Sequence, residues 1–585
     1  MAEKRGHTSS GSRRTGSGRI ASRGAANRSF GGDALADGSS RAAVVIAVFA
    51  AIALIFFARL VFLQVVKSEE YSAQAQEART ANIETSPRRG TIYDRNGYVL
   101  ATSVDATTIY ANPYEVTDAD GAANQLAAIL GGEPADYKEK LTMKDISFVY
   151  IKRKADVDVA DQVKELKIDG IYFIPDTKRE YPYGQIGGQV IGCVNIDGEG
   201  LTGLELQYDD VLSGTGGTLV VERGRDGTPI PGGVKEEVAA VDGQDIIVSL
   251  DISLQEKVEQ SLTDGVKEVN GESGNAIVMD AGTGEIYAAA SLPLYDPNDL
   301  STIVDGSETQ AKSITQIFEP GSIFKTVSTM AILENNVMSP DDEIFCPAVI
   351  EADEYKVSDA HERGDETMTL RQILDNSSNV GISLSVEKLG FTELYNKIVK
   401  YNLNELTGID YPGEGLGSLQ PREQWAKITG YNISFGQGVS VTPLQMVRFY
   451  GALINDGVEV TPHFLVEKPL SDETPTYATE DVVDNKEAIP TITSMLETVV
   501  TSGTGTGAQI EGYRVAGKTS TAEIAEEGVY KKDIYNLCFT GFLPDSSSQL
   551  VCFVGANEVP GGGNVSSVFK DIMAFAIDRY KIMPN

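Results

Sequence analysis

Residues 318–335 read FEPGSIFKTVSTMAILEN, and the fold turns on how Glu319-Pro320-Gly321-Ser322-Ile323-Phe324-Lys325 is understood. Pro-Gly ahead of an apolar, helix-periodic run predicts a helix start. Ser322 then falls in the first turn, with Lys325 one turn later on the same face. That spacing brings an amine within reach of a hydroxyl. A serine hydroxyl is a poor nucleophile until a base takes its proton. A lysine becomes that base when burial or a neighbouring cation lowers its pKa. No histidine is needed, and the chain holds only three, His7, His361 and His463. A His-rich metal site is excluded on the same count.

Serine-x-x-lysine alone is a weak signal, since Ser385-Val-Glu-Lys388 repeats it in what reads as a solvated helix face. Working outward, Ser377-Ser378-Asn379 follows LRQILDN in a predicted turn, though a second Ser-x-Asn stands at Ser273-Gly274-Asn275. Lys518-Thr519-Ser520-Thr521 lies later, in a strand-like run. The order SxxK, SxN, Lys-Thr is the signature of penicillin-binding proteins and serine β-lactamases. Longer stretches extend the likeness: RRGTIYDRNG (88–97), GLTGLELQYDDVLSG (200–214), SSNVG (377–381), SFGQGVSVTPLQ (434–445) and VAGKTSTAE (515–523). With these, the chain resembles the class B penicillin-binding proteins from residue 59 to about 580.

That resemblance implies an α+β protein. Residues 248–585 would form the transpeptidase fold, an antiparallel sheet between helices. Residues 67–247 would form a non-catalytic α+β pedestal, the dimerisation-type domain. Ser322 matches the acyl-enzyme nucleophile and Lys325 its base. Ser377 matches the relay of a proton to the leaving amine, and Asn379 the holder of the substrate amide. Lys518 would raise the local positive potential, and Thr519 would bind the carboxylate of a substrate or β-lactam. The backbone N–H groups of Ser322 and Thr521 match the oxyanion hole, where one donor is typically worth about 10²–10³ in rate. Ser520 stands where the family usually has Gly. It would either narrow the groove or, as expected here, be silent for activity. No metal and no organic cofactor is implied. The implied ligands are D-Ala-D-Ala stem peptides of peptidoglycan and β-lactams. The implied partners are a polytopic membrane glycosyltransferase and division or sporulation proteins.

From Ala42 to Val66 the chain is apolar apart from Arg59 and Gln64, enough for one membrane-spanning helix of about 20 residues. Residues 1–41 hold eight Lys/Arg against three Asp/Glu, and a formal net charge of −35 for the whole chain puts the acid beyond the helix. The positive-inside rule then places the N-terminus in the cytoplasm and the catalytic part outside. The Gly/Ser-rich basic tail, 1–41, reads as disordered. No small-x-small cleavage site follows the apolar run, which favours an uncleaved anchor over a signal peptide. The acidity argues against nucleic acid as a partner, because neutralising phosphates takes Lys and Arg.

The remaining features have plainer readings. Asn96-Gly97 between alternating apolar runs predicts a tight hairpin. Near residue 246 the texture changes to a strand, IIVSLD, and an amphipathic helix, LQEKVEQSLTDGVKEV. Gly198-x-Gly200-x-x-Gly203 mimics a dinucleotide fingerprint, but no long helix follows, so a structural turn is expected. Gly512-Tyr-Arg-Val-Ala-Gly517-Lys518-Thr519 mimics a P-loop, yet Tyr-Arg-Val-Ala is stiff and strand-prone where a phosphate cradle must curl. Cys193, Cys346, Cys538 and Cys552 have no metal spacing. Cys538 and Cys552 flank a predicted hairpin and either pair or stay as buried thiols. His361 and Trp425 read as structural, as does Ser434-Phe-Gly-Gln-Gly438. Three rivals stand beside the transpeptidase. One is a β-lactamase or carboxypeptidase, in which water takes the acyl group. Another is a class A enzyme, whose glycosyltransferase domain 67–247 does not suit. The last is a non-catalytic scaffold or β-lactam sensor, against which the complete motifs count.

Overall fold

The computed structural model describes residues 36–71, 80–223, 229–471, 474–526 and 529–584. Most of the tail expected to be disordered, 1–35, lies outside the described residues. The chain divides into two units, one of residues 1–81 with 220–235 and one of residues 82–219 with 236–585.

In the first unit a helix, Ala36–Val61, runs on as a wider turn, Phe62–Val66. It starts at Ala36, ahead of the expected Ala42. Its stretch Ala42–Val66 is long and apolar enough to cross a membrane, and Val45, Phe49, Phe56 and Phe57 are exposed along it. Exposed apolar side chains on every face are what a helix solvated by lipid requires.

The second unit holds two large sheets. The first has strand order Leu465–Glu467, Ile246–Val248, Ile92–Tyr93, Val99–Ala111, Val149–Asp156, with Ile171–Glu180 also pairing Val99–Ala111. Ile92–Tyr93 turns into Val99–Ala111 at Asn96-Gly97, as the sequence suggested. Gly97 supplies the positive φ of +85°, and Asp94 accepts the Asn96 and Tyr98 N–H groups.

The second sheet is fully antiparallel, in the order Ile286–Ser291, Ser273–Asp280, Leu550–Pro560, Val529–Phe542, Ala516–Glu526. Both faces are covered, so its strands read as continuous apolar runs rather than alternating ones. Ala276, Val278 and Val554 pack on the helices Ile252–Glu268 and Ser566–Tyr580. Ile277, Met279 and Phe553 face the other core, with the helices Lys325–Glu334, Pro443–Ile454 and Ala488–Thr501. Asp251 caps the helix Ile252–Glu268 and takes Arg579 of the helix Ser566–Tyr580 at 2.9 and 3.0 Å, tying the ends of the domain together. Strand Ala516–Glu526 is left at the sheet edge.

Register settles the cysteines. Cys538 sits opposite Gly555 and Cys552 opposite Gly541, and the two thiols enter the cores on opposite faces of the sheet. They cannot pair, and all four cysteines are free and buried. The dinucleotide mimic is a turn, with only a five-residue helix, Gly203–Gln207, after it. The P-loop mimic runs straight into strand Ala516–Glu526, with no phosphate cradle and no helix. One expectation is corrected: Ser385 is fully buried, donating to Gly381 O one turn back at 2.8 Å, and only Lys388 of that pair faces solvent.

Candidate active site

Ser322 lies in a 3₁₀ turn, Gly321–Phe324, that continues as the helix Lys325–Glu334. With three residues per turn, positions i and i+3 eclipse, so Lys325 stands directly against Ser322. Its Nζ is 2.9 Å from Ser322 Oγ. The backbone there is left-handed at Gly321, φ +55°, and a side chain at Gly321 would strike Ser520 Oγ and Ala522. Gly321 N–H donates to Gly436 O at 2.9 Å, and a Cβ on Gly436 would sit 2.2 Å from Gly321 O. The glycine of SFGQG is thus the floor under the nucleophile turn, a structural role as expected. Behind it, Tyr450 Oη donates to Ile323 O at 3.0 Å and Ser328 Oγ to Ser434 O at 2.7 Å. Every residue of Lys325–Glu334 is buried, which fixes the rotamers around the site.

The Ser-x-Asn stretch joins two short helices, Leu370–Asp375 and Asn379–Leu389. Ser378 caps the second by accepting Gly381 N–H at 2.9 Å. Ser377 takes a left-handed φ of +56°, uncommon without a glycine or asparagine and a point of backbone strain. That conformation turns both its carbonyl and its hydroxyl on Lys325. Nζ is 2.6 Å from Ser377 O, 3.1 Å from Ser377 Oγ and 2.7 Å from Asn379 Oδ1. The turn is clamped by a residue the sequence reading passed over, Asp359. Its carboxylate accepts Ser378 Oγ–H at 2.8 Å, Val380 N–H at 2.9 Å and Arg363 Nε–H at 2.5 Å. The available signal was the Asp359/Arg363 spacing of four, beside which His361 drew the eye; His361 is exposed.

The edge strand supplies the third wall. Lys518 is wholly buried, its Nζ donating to Thr519 O at 3.2 Å. Thr519 Oγ1 meets Thr504 Oγ1 at 2.6 Å, so Thr504 is a second neighbour the sequence did not flag. The Thr521 side chain is exposed. Ser520 is buried, and its Oγ accepts the Ser322 N–H at 2.8 Å.

Electrostatically the site holds two lysines whose amines burial pushes below their ordinary value. Burial drives the Lys325 amine well below its usual value, and the nearby Lys518 pushes it the same way, against a smaller pull from Asp359. Burial brings Lys518 down to about 7, opposed by Cys538 and Asp375. A neutral Lys325 amine has two protons to donate and one lone pair. Donation to Ser377 O and Asn379 Oδ1 leaves the lone pair for a hydroxyl proton from Ser322. The geometry is therefore that of an activated serine with a lysine base. Among the described residues there is no cluster of His, Cys, Asp or Glu able to hold a metal ion.

Comparison with known proteins places the chain in a family. The penicillin-binding protein transpeptidase domain family matches residues 274–574, and the penicillin-binding protein dimerisation domain family matches 84–248. Stage V sporulation protein D of Bacillus subtilis is 31% identical over 547 residues, 91% of this chain and 84% of that one. Peptidoglycan D,D-transpeptidase FtsI of Escherichia coli is 31% identical over 565 residues, 90% of each. The crystal structure of penicillin-binding protein 3 from Mycobacterium tuberculosis complexed with aztreonam superposes with a TM-score of 0.67 at 27% identity, over 85% of this chain and 97% of that one. The chain belongs to the class B penicillin-binding proteins, and residues 274–574 are its transpeptidase domain.

Proposed function

We propose that this protein cross-links peptidoglycan through an acyl-enzyme on Ser322, from a single membrane anchor. The observation that carries the reading is the cage around Lys325 Nζ, with Ser322 Oγ at 2.9 Å, Ser377 Oγ at 3.1 Å and Asn379 Oδ1 at 2.7 Å. Lys325 takes the Ser322 proton as Oγ attacks the carbonyl of the penultimate D-Ala of a stem peptide. The backbone N–H groups of Ser322 and Thr521 stabilise the oxyanion. The C–N bond breaks, and the proton returns through Ser377 to the departing amine of the terminal D-Ala. An amine of a neighbouring stem then attacks the ester, its proton leaves by the same route, and Ser322 is restored. Lys518 and Thr519 attract and hold the terminal carboxylate, and Asn379 holds the peptide amide. A β-lactam acylates the same serine and leaves slowly.

In this reading the residues after 66 face outward and the N-terminus lies in the cytoplasm, from the basic charge of 1–41. Residues 67–247 serve as the pedestal and 248–585 as the catalytic domain. The partner is a polytopic glycosyltransferase of the same membrane, met through 42–66 and the pedestal, within a division or sporulation assembly. A wholly buried, hydrogen-bonded lysine beside a reachable serine speaks against a non-catalytic scaffold.

The test is intact mass of the full-length chain in detergent with benzylpenicillin, wild type and Ser322→Ala, with the adduct mapped by digestion. A persistent single adduct on Ser322, absent from the variant, is expected. Rapid penicillin turnover would show a β-lactamase instead, and a folded wild type with neither adduct nor turnover would withdraw the nucleophile.

A further inference from the structure

Ser520 stands where the resemblance implies a glycine, and its position makes the difference consequential. Across the antiparallel ladder it pairs with Cys538, so its side chain lies on the same sheet face as Lys518 and Ala522, towards the nucleophile turn. There its Oγ comes so close to Gly321 that a Cβ on that glycine would lie 2.5 Å away. Gly321 and Ser520 are fitted to each other: the missing side chain on one makes room for the hydroxyl on the other. From that niche Oγ accepts the backbone N–H of Ser322 at 2.8 Å. A backbone N–H carries one proton and makes one good hydrogen bond. This proton is one of the two that the proposed acyl transfer needs on its oxyanion.

We propose that Ser520 is a positioning residue that sets the acylation rate by occupying the Ser322 N–H of the oxyanion hole in the resting enzyme. The inference rests on the acyl-transfer reading above. Acylation then requires the Ser520 hydroxyl to release the N–H as negative charge develops on the substrate oxygen. Rotation about χ1 to another staggered well is the motion that would release it. The hydroxyl thus stabilises the ground state against the transition state, the reverse of what an oxyanion donor does. No bond forms or breaks at Ser520 itself. Removing the hydroxyl frees the N–H, and one net hydrogen bond of ordinary strength translates into a rate gain of about 3- to 10-fold. The same oxyanion hole serves hydrolysis of the acyl-enzyme, so release of the adduct should quicken by a similar factor.

The measurement is the second-order rate constant for benzylpenicillin acylation of the full-length chain in detergent, together with adduct lifetime, for wild type, Ser520→Ala, Ser520→Gly and Ser322→Ala. Ser520→Ala keeps the Cβ and strand backbone and removes only the hydroxyl, so it answers even where Ser520→Gly loosens the edge strand. A merely structural role would leave both rates unchanged or lower them, whereas both are expected to rise by about 3- to 10-fold. A wild type that acylates slowly or not at all beside a Ser520→Ala chain that acylates well supports the inference most strongly. Equal or slower acylation of folded Ser520→Ala and Ser520→Gly, with the wild-type adduct still on Ser322, overturns this inference alone. An adduct that survives Ser322→Ala, or none in any folded chain, overturns the acyl-transfer reading and this inference with it.

Discussion

Two clusters of buried cations in this protein are built on opposite rules. In the first, Arg89 and Arg179 share the Glu205 carboxylate, Nε to Oε2 at 2.5 Å and Nε to Oε1 at 2.6 Å. Arg89 also reaches Asp209 Oδ1 at 2.6 Å and the carbonyls of Gly198 and Glu205. Burial presses the Arg89 guanidinium down, but Glu205 and Asp209 outweigh it and hold the group above its ordinary value. In the second, Lys325 and Lys518 are equally buried, neither has an ion-pair partner in hydrogen-bond contact among the described residues, and burial outweighs the pull of Asp359 and Asp375 and drives both down. The paired cluster fixes the segments that the sequence quotes as RRGT and GLTGLELQYDD. The unpaired one, in the proposed reaction, holds a base ready. Buried charge that is neutralised by a partner is architecture, and buried charge that is neutralised by losing a proton is chemistry.

Breaking one member of each cluster should separate stability from rate. Lys325→Met should lower penicillin acylation by about 10²–10⁴-fold, the range for loss of a general base. It should leave the melting temperature equal or higher, since an apolar chain replaces a buried amine. Stopped reactions followed by intact mass, with a thermal melt alongside, check both halves. Glu205→Ala should do the reverse. It strands two buried guanidinium groups, and removing one partner of a buried pair costs about 3–5 kcal/mol. The expected result is a clear fall in the melting temperature with acylation of the folded fraction near wild type. A Glu205→Ala chain that melts normally would show that the arginines find other acceptors.

Lys518→Met sharpens the contrast with a smaller effect. A lysine held near 7 is costly to keep charged at neutral pH, each pKa unit corresponding to about 1.4 kcal/mol. Its replacement should stabilise the fold by about 1–3 kcal/mol after lost packing, while slowing acylation by carboxylate-bearing β-lactams. Denaturant titration beside acylation rates is the check, and a destabilised variant would mean that packing by the lysine stem outweighs the charge.

How much of this was legible beforehand follows from distance along the chain. Ser322 and Lys325 were readable because one helical turn fixes their meeting, and the order of the later motifs identified the rest. The strand through Lys518 and the turn at Asn96-Gly97 were readable from local stiffness and turn chemistry. Asp359 and Thr504 were not, since their contacts with Ser378, Val380 and Thr519 exist only after the chain has folded back. The cysteine pairing stayed open because it depends on which face each thiol takes, and register is not written in spacing alone. Ser385 was misread because serine was taken as a surface residue, whereas its hydroxyl returns to the helix backbone and buries without an orphaned group. The left-handed Ser377 gave no local sign, though it is what aims the turn at Lys325.

The two clusters should also differ in how pH acts on the fold. Lys518 titrates near 7 in the folded chain and near 10.4 when unfolded, so between those values the unfolded chain binds more protons. Stability must then rise with pH across that window, by up to about 1.4 kcal/mol per pH unit from this residue. The cost is fully present below about pH 7 and fades as pH climbs towards the unfolded value. Lys325, depressed in the same direction, adds to the rise. Arg89 contributes nothing there, because its guanidinium, held above its ordinary value, stays protonated in both states. Denaturant midpoints measured at pH 7, 8 and 9 should therefore climb in the wild type, climb less in Lys518→Met, and keep the wild-type slope in Glu205→Ala. An unchanged slope in Lys518→Met would place that lysine's titration elsewhere and remove the distinction between the two clusters on the lysine side.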